Sequence, residues 1–138
     1  MEIKLYNDIV FKWAFGREEH PAPLISLLNS VVGHEGEKPE FTEIRIVNPY
    51  DRSEPFTGEK QGILDIRAQD ARTGEWADVE IQVAHDADYA ARSKFYLAGM
   101  YRDQLKKSSE KNYDELKACY GIHLLVADWF RDKEDEKR

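Results

Sequence analysis

The hydrophobic and polar positions of the chain follow two periods, and the changes of period mark its elements. The segments NDIVFKWAFG and PAPLISLLNSVVG space their apolar residues by three and four, which predicts two helices that end at Gly16 and Gly33. The segment FTEIRIVNP alternates apolar with other residues, which predicts a strand that ends before Pro49. A charged connection with Pro and Gly follows, from Tyr50 to Gly62.

The middle of the chain predicts a β-hairpin. Apolar residues alternate through GILDIRAQD and again through EWADVEIQV, and the four residues ARTG between them favour a turn in which Gly74 takes a positive φ. If this loop closes symmetrically, Asp65 lies opposite Glu80 and Arg67 lies opposite Asp78. A bulge in the loop would shift this register.

The last part of the chain predicts a long helix and a final strand. The segment DADYAARSKFYLAGMYRDQLKK has helical spacing from Asp88 to about Lys107, and YGIHLLVADWF follows a polar stretch from Ser108 to Lys117. Parallel strands need a crossover connection, so the third strand, the long helix and the last strand should form a right-handed one. The chain is therefore expected to be an α/β domain with a mixed sheet flanked by helices.

Composition bounds the kind of protein. The 138 residues are 41% hydrophobic, without a long apolar run or a signal-like amino terminus, which predicts one domain over residues 1–130, a charged tail over 131–138, no membrane span and a cytoplasmic location. The single Cys119 allows neither an internal disulfide nor a thiolate metal site, so it should fill the core. A net charge of −7 argues against broad electrostatic attraction to nucleic acid.

The opposed acids Asp65 and Glu80 are the main candidates for chemistry. Directly opposed carboxylates repel each other, so a positive group is expected between them. Mg²⁺ prefers oxygen ligands, and these two carboxylates with the backbone carbonyl of Ile81 could bind it and activate a water beside a phosphodiester. Gln82 follows on the same face, where its amide could orient a water or a phosphate oxygen. Alternatively, these residues form the solvated face of a one-sided hairpin.

At this point the chain resembles the Rpn, or recombination-promoting nuclease, family of transposase-associated proteins in the PD-(D/E)XK nuclease superfamily. The resemblance lies in an ordered set of motifs, NDIVFKWAFG, LISLLNSVV, LDI, VEIQV and RSKFY. It implies a restriction-endonuclease-like αβββαβ core and a metal-dependent DNA endonuclease that acts in recombination or transposition, with Mg²⁺ or Mn²⁺ as cofactor and DNA as partner. Members usually continue beyond the last strand, which suggests a short member or a nuclease domain alone.

The resemblance also implies roles for three residues. Asp65 matches the metal-binding Asp of the superfamily and Glu80 matches its second acidic residue, whereas Gln82 stands at the position of the catalytic Lys. Gln supplies neither the charge nor the titrating amine of Lys, so the metal or another cation must stabilise the charge on the pentavalent phosphate.

Further candidates lie on the two outer helices. Arg92 and Tyr96 are four residues apart on the long helix and could both reach a phosphate near the hairpin, although a surface Arg and a half-buried Tyr are equally ordinary there. The first family motif contains Asp8 and Lys12, which the resemblance suggests as an accessory metal ligand and a phosphate contact. Asp8, like Asn7, could instead be a helix N-cap.

Two other functions stay open. The net acidity and the missing Lys favour a catalytically inactive nuclease fold that serves as a DNA- or protein-binding or assembly module. Another subunit could also cover the polar face of the hairpin, giving a homodimer with Trp76 as an interface anchor. Among the histidines, His123 belongs to an apolar strand and only His85 is expected near the site, without a metal role.

Overall fold

The computed structural model describes residue 4 and residues 6–33, 41–48, 65–83, 87–106 and 112–126. Its elements in chain order are α1 (Asp8–Phe15), α2 (Ala22–Val32), β1 (Ile44–Ile46), β2 (Asp65–Asp70), β3 (Trp76–Gln82), α3 (Tyr89–Lys106), a 3₁₀ helix (Tyr113–Glu115) and β4 (Cys119–Leu125). This order confirms the prediction, apart from the 3₁₀ helix, which lies in the stretch expected to be irregular. The connection from Tyr50 to Gly62 and the tail over 131–138 lie outside the described residues.

The described strands form one mixed sheet in the order β1-β2-β3-β4. The β1–β2 and β2–β3 pairs are antiparallel, and β3 and β4 are parallel. The parallel pair requires the crossover that α3 provides, as expected. The α/β class and the mixed sheet with helices are therefore confirmed, and they agree with a restriction-endonuclease-like fold.

The turn of the β2–β3 hairpin sets its register. Gly74 has a φ of 78°, a conformation that glycine adopts without the steric cost of a side chain. Its N–H donates to the carbonyl oxygen of Asp70 at 2.8 Å, and the Asp70 N–H donates to that of Glu75 at 2.9 Å, which closes the loop. The predicted register is confirmed, with Asp65 opposite Glu80.

The sheet has one apolar and one polar face, because side chains alternate along each strand. The apolar face packs against α1 and α2, and its core side chains are Phe11, Leu24, Leu28, Ile66, Ala68, Ala77, Val79 and Ile122. The opposite face lies under α3: Gln104 donates a hydrogen bond to the sulfur of Cys119, and Leu97 lies above Gly121. The candidate residues of the hairpin point toward this second face.

Asp70 is a buried carboxylate that joins β1 to the hairpin turn. Its oxygens accept hydrogen bonds from the backbone N–H groups of Thr42, Glu43, Arg72 and Thr73, at 2.8 to 3.2 Å. Burial alone would raise the pKa of Asp70, but these four donors together lower it. Asp70 is therefore a charged structural residue, and it lies at the end of β2 away from Asp65.

Two local predictions have clear outcomes. Asn7 is the N-cap of α1, since its side chain accepts from the N–H groups of Ile9 and Val10, so the alternative cap Asp8 is wrong. Cys119 is half buried under α3 and is not part of the hydrophobic core of the described residues, so the prediction that it fills the core is wrong; burial raises the pKa of its thiol. In the described part, no helix is long and apolar enough to cross a membrane.

Candidate active site

A pocket lies between the polar face of the sheet and α3. It has room for about 210 Å³, which is several times the ~30 Å³ that one water occupies in the liquid, so a hydrated ion fits in it. Its lining comes from β2, β3, β4 and α3, through Asp65, Arg67, Asp78, Glu80, Ser93, Tyr96 and His123. The sheet therefore supplies three acids, one guanidinium and one imidazole, and the helix supplies two hydroxyl groups.

Asp65 and Glu80 face each other across the hairpin. Antiparallel pairs either exchange ladder hydrogen bonds or do not, and these two residues form the second kind, in which the side chains are closer. Asp70 and Glu75 are joined by a ladder hydrogen bond, and such pairs alternate along a hairpin, so Asp65 and Glu80 form a pair without ladder hydrogen bonds. In such pairs the Cα atoms are about 4.5 Å apart and the side chains are closest. Glu80 is only 7% exposed, so its charge has little water around it.

The carboxyl groups of the pocket raise one another's proton affinity. Burial raises the pKa of Glu80, and the charge of Asp65 raises it further, against the opposing charge of Arg92. Asp78 responds more strongly: burial, followed by a hydrogen bond to Asp65 and the charge of Asp65, raises its pKa to about 8. The hydrogen-bonded pair of Asp78 and Asp65 thus favours a proton shared between the two carboxyl groups.

The positive charge expected between Asp65 and Glu80 is divided between two side chains: Arg67 lies beside Asp65 and Asp78, and Arg92 is the cation that acts on Glu80. The Nη2 of Arg67 lies 3.4 Å from Asp65 Oδ2, and its Nε lies 3.6 Å from Asp78 Oδ1. Both Arg67 Nε and Asp78 Oδ1 are buried without a hydrogen-bond partner in the described part. These contacts are long for a guanidinium between two carboxyl groups, so the hydrogen-bonding capacity of Arg67 Nε and Asp78 Oδ1, which face each other, is not fully used.

Asn48 holds Asp65 in place, and the sequence analysis missed it. Its amide Nδ2 donates to the backbone carbonyl oxygen of Asp65 at 2.9 Å, and its Oδ1 accepts from the N–H of Arg67 at 2.7 Å. The side chain thereby replaces the ladder hydrogen bonds that β1 would make if it continued past Ile46. Asn48 directly precedes Pro49, which ends the strand, and this position was the signal in the sequence that a side chain could replace the missing backbone partners of β2.

The oxygen donors suit a hard divalent cation. Asp65 and Glu80 are opposed carboxylates. The carbonyl of Gln82 accepts from the N–H of Val126, just after β4, so the carbonyl of Ile81 points to the other side, toward β2. No group of three or more His, Cys, Asp and Glu side chains among the described residues could hold a metal. Mg²⁺ commonly takes one or two carboxylates and keeps several waters, so the two acids and one carbonyl fit it.

The predicted phosphate contacts divide into two groups. Tyr96 lines the pocket with its side chain partly exposed, and Arg92 lies close enough to affect the pKa of Glu80 while its guanidinium lies 5.8 Å from the centre of the Tyr89 ring. Lys12 is on α1, which packs on the opposite face of the sheet, and does not line the pocket. Asp8 begins α1, and its side chain is outside the described part.

Gln82 follows Glu80 on the same face of β3 and is half buried. It is paired with Leu125 of β4 and does not belong to the pocket lining. Gln82 is thus the last residue of the strand, two positions after Glu80, and its role in orienting water or phosphate stays a prediction.

His123 corrects the expectation about the histidines. It lies beside Glu80 in the parallel β3–β4 register, lines the pocket, and places its Nδ1 3.7 Å from Glu80 Oε2. The hydroxyl of Tyr89 is hydrogen-bonded to the same Nδ1. The expectation that only His85 is near the site was therefore wrong, and His85 itself lies outside the described residues.

The chain matches a known protein family. The family model described as PD-(D/E)XK nuclease family transposase matches residues 5–138, and so includes every element that lines the pocket. No curated protein and no solved structure matches the chain significantly.

Proposed function

The chain belongs to the PD-(D/E)XK nuclease family of transposases, and we propose that it is a metal-dependent DNA endonuclease acting in recombination or transposition. Within that family, its ordered motifs favour the recombination-promoting, or Rpn, type. The observation that carries the proposal is the directly opposed pair of Asp65 and Glu80 in a pocket large enough for a hydrated ion. DNA is the partner that membership of a nuclease family implies.

The acids and one carbonyl would hold the cofactor. Asp65, Glu80 and the carbonyl oxygen of Ile81 are the ligands that we assign to Mg²⁺, or to Mn²⁺ in its place. When bound, such an ion lowers the pKa of a coordinated water and stabilises the charge that develops on a phosphodiester. It would also relieve the repulsion that raises the pKa of Glu80.

The remaining side chains would position the DNA. Tyr96 supplies a hydroxyl at the pocket, and Arg92 on the same helix supplies a cation near Glu80 that can pair with a backbone phosphate. Gln82 would orient a water or a phosphate oxygen from the end of β3. Lys12 and Asp8 have no assigned role in this scheme, since α1, on which they lie, packs on the opposite face of the sheet.

Two observations favour the second candidate function, a nuclease fold that binds without turnover. Gln82 stands where the superfamily has a catalytic Lys, and the guanidinium of Arg67 is already placed beside Asp65 at 3.4 Å. A site neutralised by its own arginine and a shared proton has less need for a metal. Binding of DNA or of a protein partner would then be the whole activity.

The two functions separate in a plasmid assay. The purified protein is incubated with supercoiled DNA in Mg²⁺, in Mn²⁺ and in chelator, beside Asp65→Asn, Glu80→Gln and the exposed control Asp114→Asn. The nuclease predicts nicked or linear product that needs the metal, survives in the control and falls at least ~100-fold in the two site variants, as when an essential stabilising group is removed. DNA binding by all four proteins with no product in any metal would instead support the binding module.

A further inference from the structure

The proposed function leaves open which form of DNA the site takes. We propose that Phe95 on α3 stacks against an unpaired nucleobase of the DNA beside the pocket. The preferred substrate is then a single strand, or a duplex with unpaired bases next to the phosphate that is cleaved. This inference rests on the proposed nuclease function and deepens it, because it names the class of DNA.

Phe95 presents a largely free aromatic ring at the edge of the pocket. The residue is 74% exposed, and its ring contacts that of Tyr96 with ring centres 5.8 Å apart and planes at 72°. Such a tilted contact is a favoured arrangement of two rings, and it steadies the Phe95 ring while most of its surface stays free. Because Tyr96 lines the pocket, the two rings form a continuous aromatic surface from the pocket onto the outside of α3.

The helix surface beside the Phe95 ring has room for a flat group. The residues three and four positions away are its neighbours on α3, and three of these four, Ala91, Ala98 and Gly99, have a side chain no larger than a methyl group. Among the described residues, a Cβ atom added at Gly99 would meet no atom within 4 Å outside its chain neighbours and the backbone of the same helix. Packing therefore does not require a glycine there, although glycine inside a helix costs ~0.5–1 kcal/mol relative to alanine.

The charge of α3 suits a polyanion. The sequence of the helix, YAARSKFYLAGMYRDQLK, contains four basic residues and one acid, in a chain with a net charge of −7. The acid, Asp103, is already paired with Arg102 at 3.1 Å, and the exposed Lys94 directly precedes Phe95. Basic side chains beside exposed rings are typical of sites for single-stranded nucleic acid, because the cations follow the phosphates and the rings stack on the bases.

An unpaired base fits the Phe95 ring, whereas a base pair does not. In a duplex the neighbouring base pairs cover both faces of a base, and only its edges are accessible in the grooves. A ring on the outside of a helix can therefore stack only on a base that has left the duplex stack, which costs least when the base is mismatched or already single-stranded. The adjoining pocket would then receive the phosphate next to that base.

The first test measures binding and requires no catalysis. Fluorescence anisotropy in chelator gives Kd for a labelled single strand, for a duplex with unpaired bases and for the full duplex. We expect Phe95→Leu to raise Kd ~10-fold for the first two and less than ~2-fold for the full duplex. Phe95→Trp retains a ring and should stay within ~3-fold of the wild type. Tyr113→Ala, an 82% exposed tyrosine outside the pocket lining, is the control and should match the wild type.

The outcomes of this test are distinct. A loss confined to the single strand or to the duplex with unpaired bases supports the proposal and identifies the source of the base. An equal loss for all three DNAs, or for none, would show that the ring does not stack on an unpaired base.

The second test fills the space beside the ring and leaves Phe95 in place. A side chain four positions after Phe95 is directed back over that turn, so the leucine side chain in Gly99→Leu would cover the ring. Leucine favours the helix over glycine, so we expect an equal or higher Tm together with a ~10-fold higher Kd for the single strand. Gly99→Ala adds only a methyl group and should bind within ~2-fold of the wild type. Wild-type binding by Gly99→Leu would contradict the proposed position of the base.

The third test locates the contact and decides between DNA and a second copy of this chain. A fluorescent base analogue in the single strand, of the kind whose emission falls on stacking, should be quenched by the wild type and not by Phe95→Leu. Sedimentation of the wild type and of Phe95→Asp should show a monomer in both. A dimer that Phe95→Asp dissociates would assign the ring to self-association and overturn the proposal.

Failure of the proposed function has a different signature. If the wild type cleaves no DNA in any metal, the nuclease assignment fails, while the binding of the Phe95 and Gly99 variants still decides whether the ring stacks on a base. If the wild type cleaves the full duplex and the duplex with unpaired bases equally well, and Phe95→Leu does the same, the nuclease assignment stands and the inference about Phe95 fails.

Discussion

The side-chain amide of Asn48 makes the hydrogen bonds to β2 beside Asp65 that the backbone of a neighbouring strand would otherwise make. Its Nδ2 donates to the carbonyl oxygen of Asp65 at 2.9 Å, and its Oδ1 accepts from the N–H of Arg67 at 2.7 Å. β1 ends at Ile46, so this one residue completes the edge of β2 at the point where the candidate metal ligand lies. The geometry of Asp65 therefore depends on a residue that has no chemical role itself.

Replacement of Asn48 should weaken both the fold and the site. Asn48→Ala leaves one carbonyl and one N–H of β2 without these partners, and we expect the free energy of unfolding to fall by about 1–3 kcal/mol. Urea unfolding at neutral pH measures this. Asn112→Ala is the matched control, because the Asn112 side chain makes no capping hydrogen bond. Equal stability of the two variants would mean that water replaces the Asn48 amide without loss.

A divalent cation should stabilise the wild type through the opposed acids. A ligand that binds only the folded state at 100 times its Kd adds about 2.7 kcal/mol, so Tm should rise with Mn²⁺ or Mg²⁺. Glu80→Gln removes one ligand and also the repulsion with Asp65, so we expect a Tm equal to or above that of the wild type without metal, and no rise with it. Thermal unfolding across a metal titration measures both effects.

The control for this prediction is Glu115→Gln, an exposed glutamate on the 3₁₀ helix away from the pocket. It should retain the full metal-dependent rise in Tm. An equal rise in Glu80→Gln would place the bound cation elsewhere on the protein.

The sequence predicts the register of the hairpin, but it does not predict the side chains that contact the hairpin from outside it, Asn48 and His123. The pair of Asp65 and Glu80 was predictable because alternation and a four-residue turn with Gly74 fix a local register. The sequence pattern places His123 in an apolar strand, but its pairing with Glu80 depends on how α3 brings the chain back to the sheet, which a short-range pattern does not encode. Asn48 and Asp65 are separated in sequence by the whole β1–β2 connection, so no local spacing of residues predicts their contact.

Asp70 should make stability depend on pH in the acidic range. Its folded-state pKa is lowered by four backbone donors, against burial, so its contribution is fully present above the unfolded value of about 3.9. That contribution is lost as pH falls through the folded-state pKa. Asp70→Asn should therefore cost about 2–3 kcal/mol at pH 7, and the difference from the wild type should shrink on acidification below pH ~4.

Urea unfolding of Asp70→Asn and the wild type from pH 7 to pH 3 tests this dependence. Asp114→Asn, at an exposed position, should follow the wild type throughout. A difference for Asp70→Asn that stays constant with pH would show that its cost comes from packing and not from the carboxylate charge.

Arg67 is expected to compete with a bound metal for the same negative charge. Its guanidinium balances Asp65 and Asp78 at 3.4 and 3.6 Å, and its side chain is 38% exposed, so its removal should cost less than the breaking of a fully buried pair, about 1–2 kcal/mol without metal. A divalent cation supplies the missing charge, so Arg67→Gln should show a larger metal-dependent rise in Tm than the wild type. Arg102→Gln removes an exposed ion pair with Asp103 and should leave that rise unchanged. If Arg67→Gln is destabilised equally with and without metal, the guanidinium contributes packing alone and does not stand in for the cation.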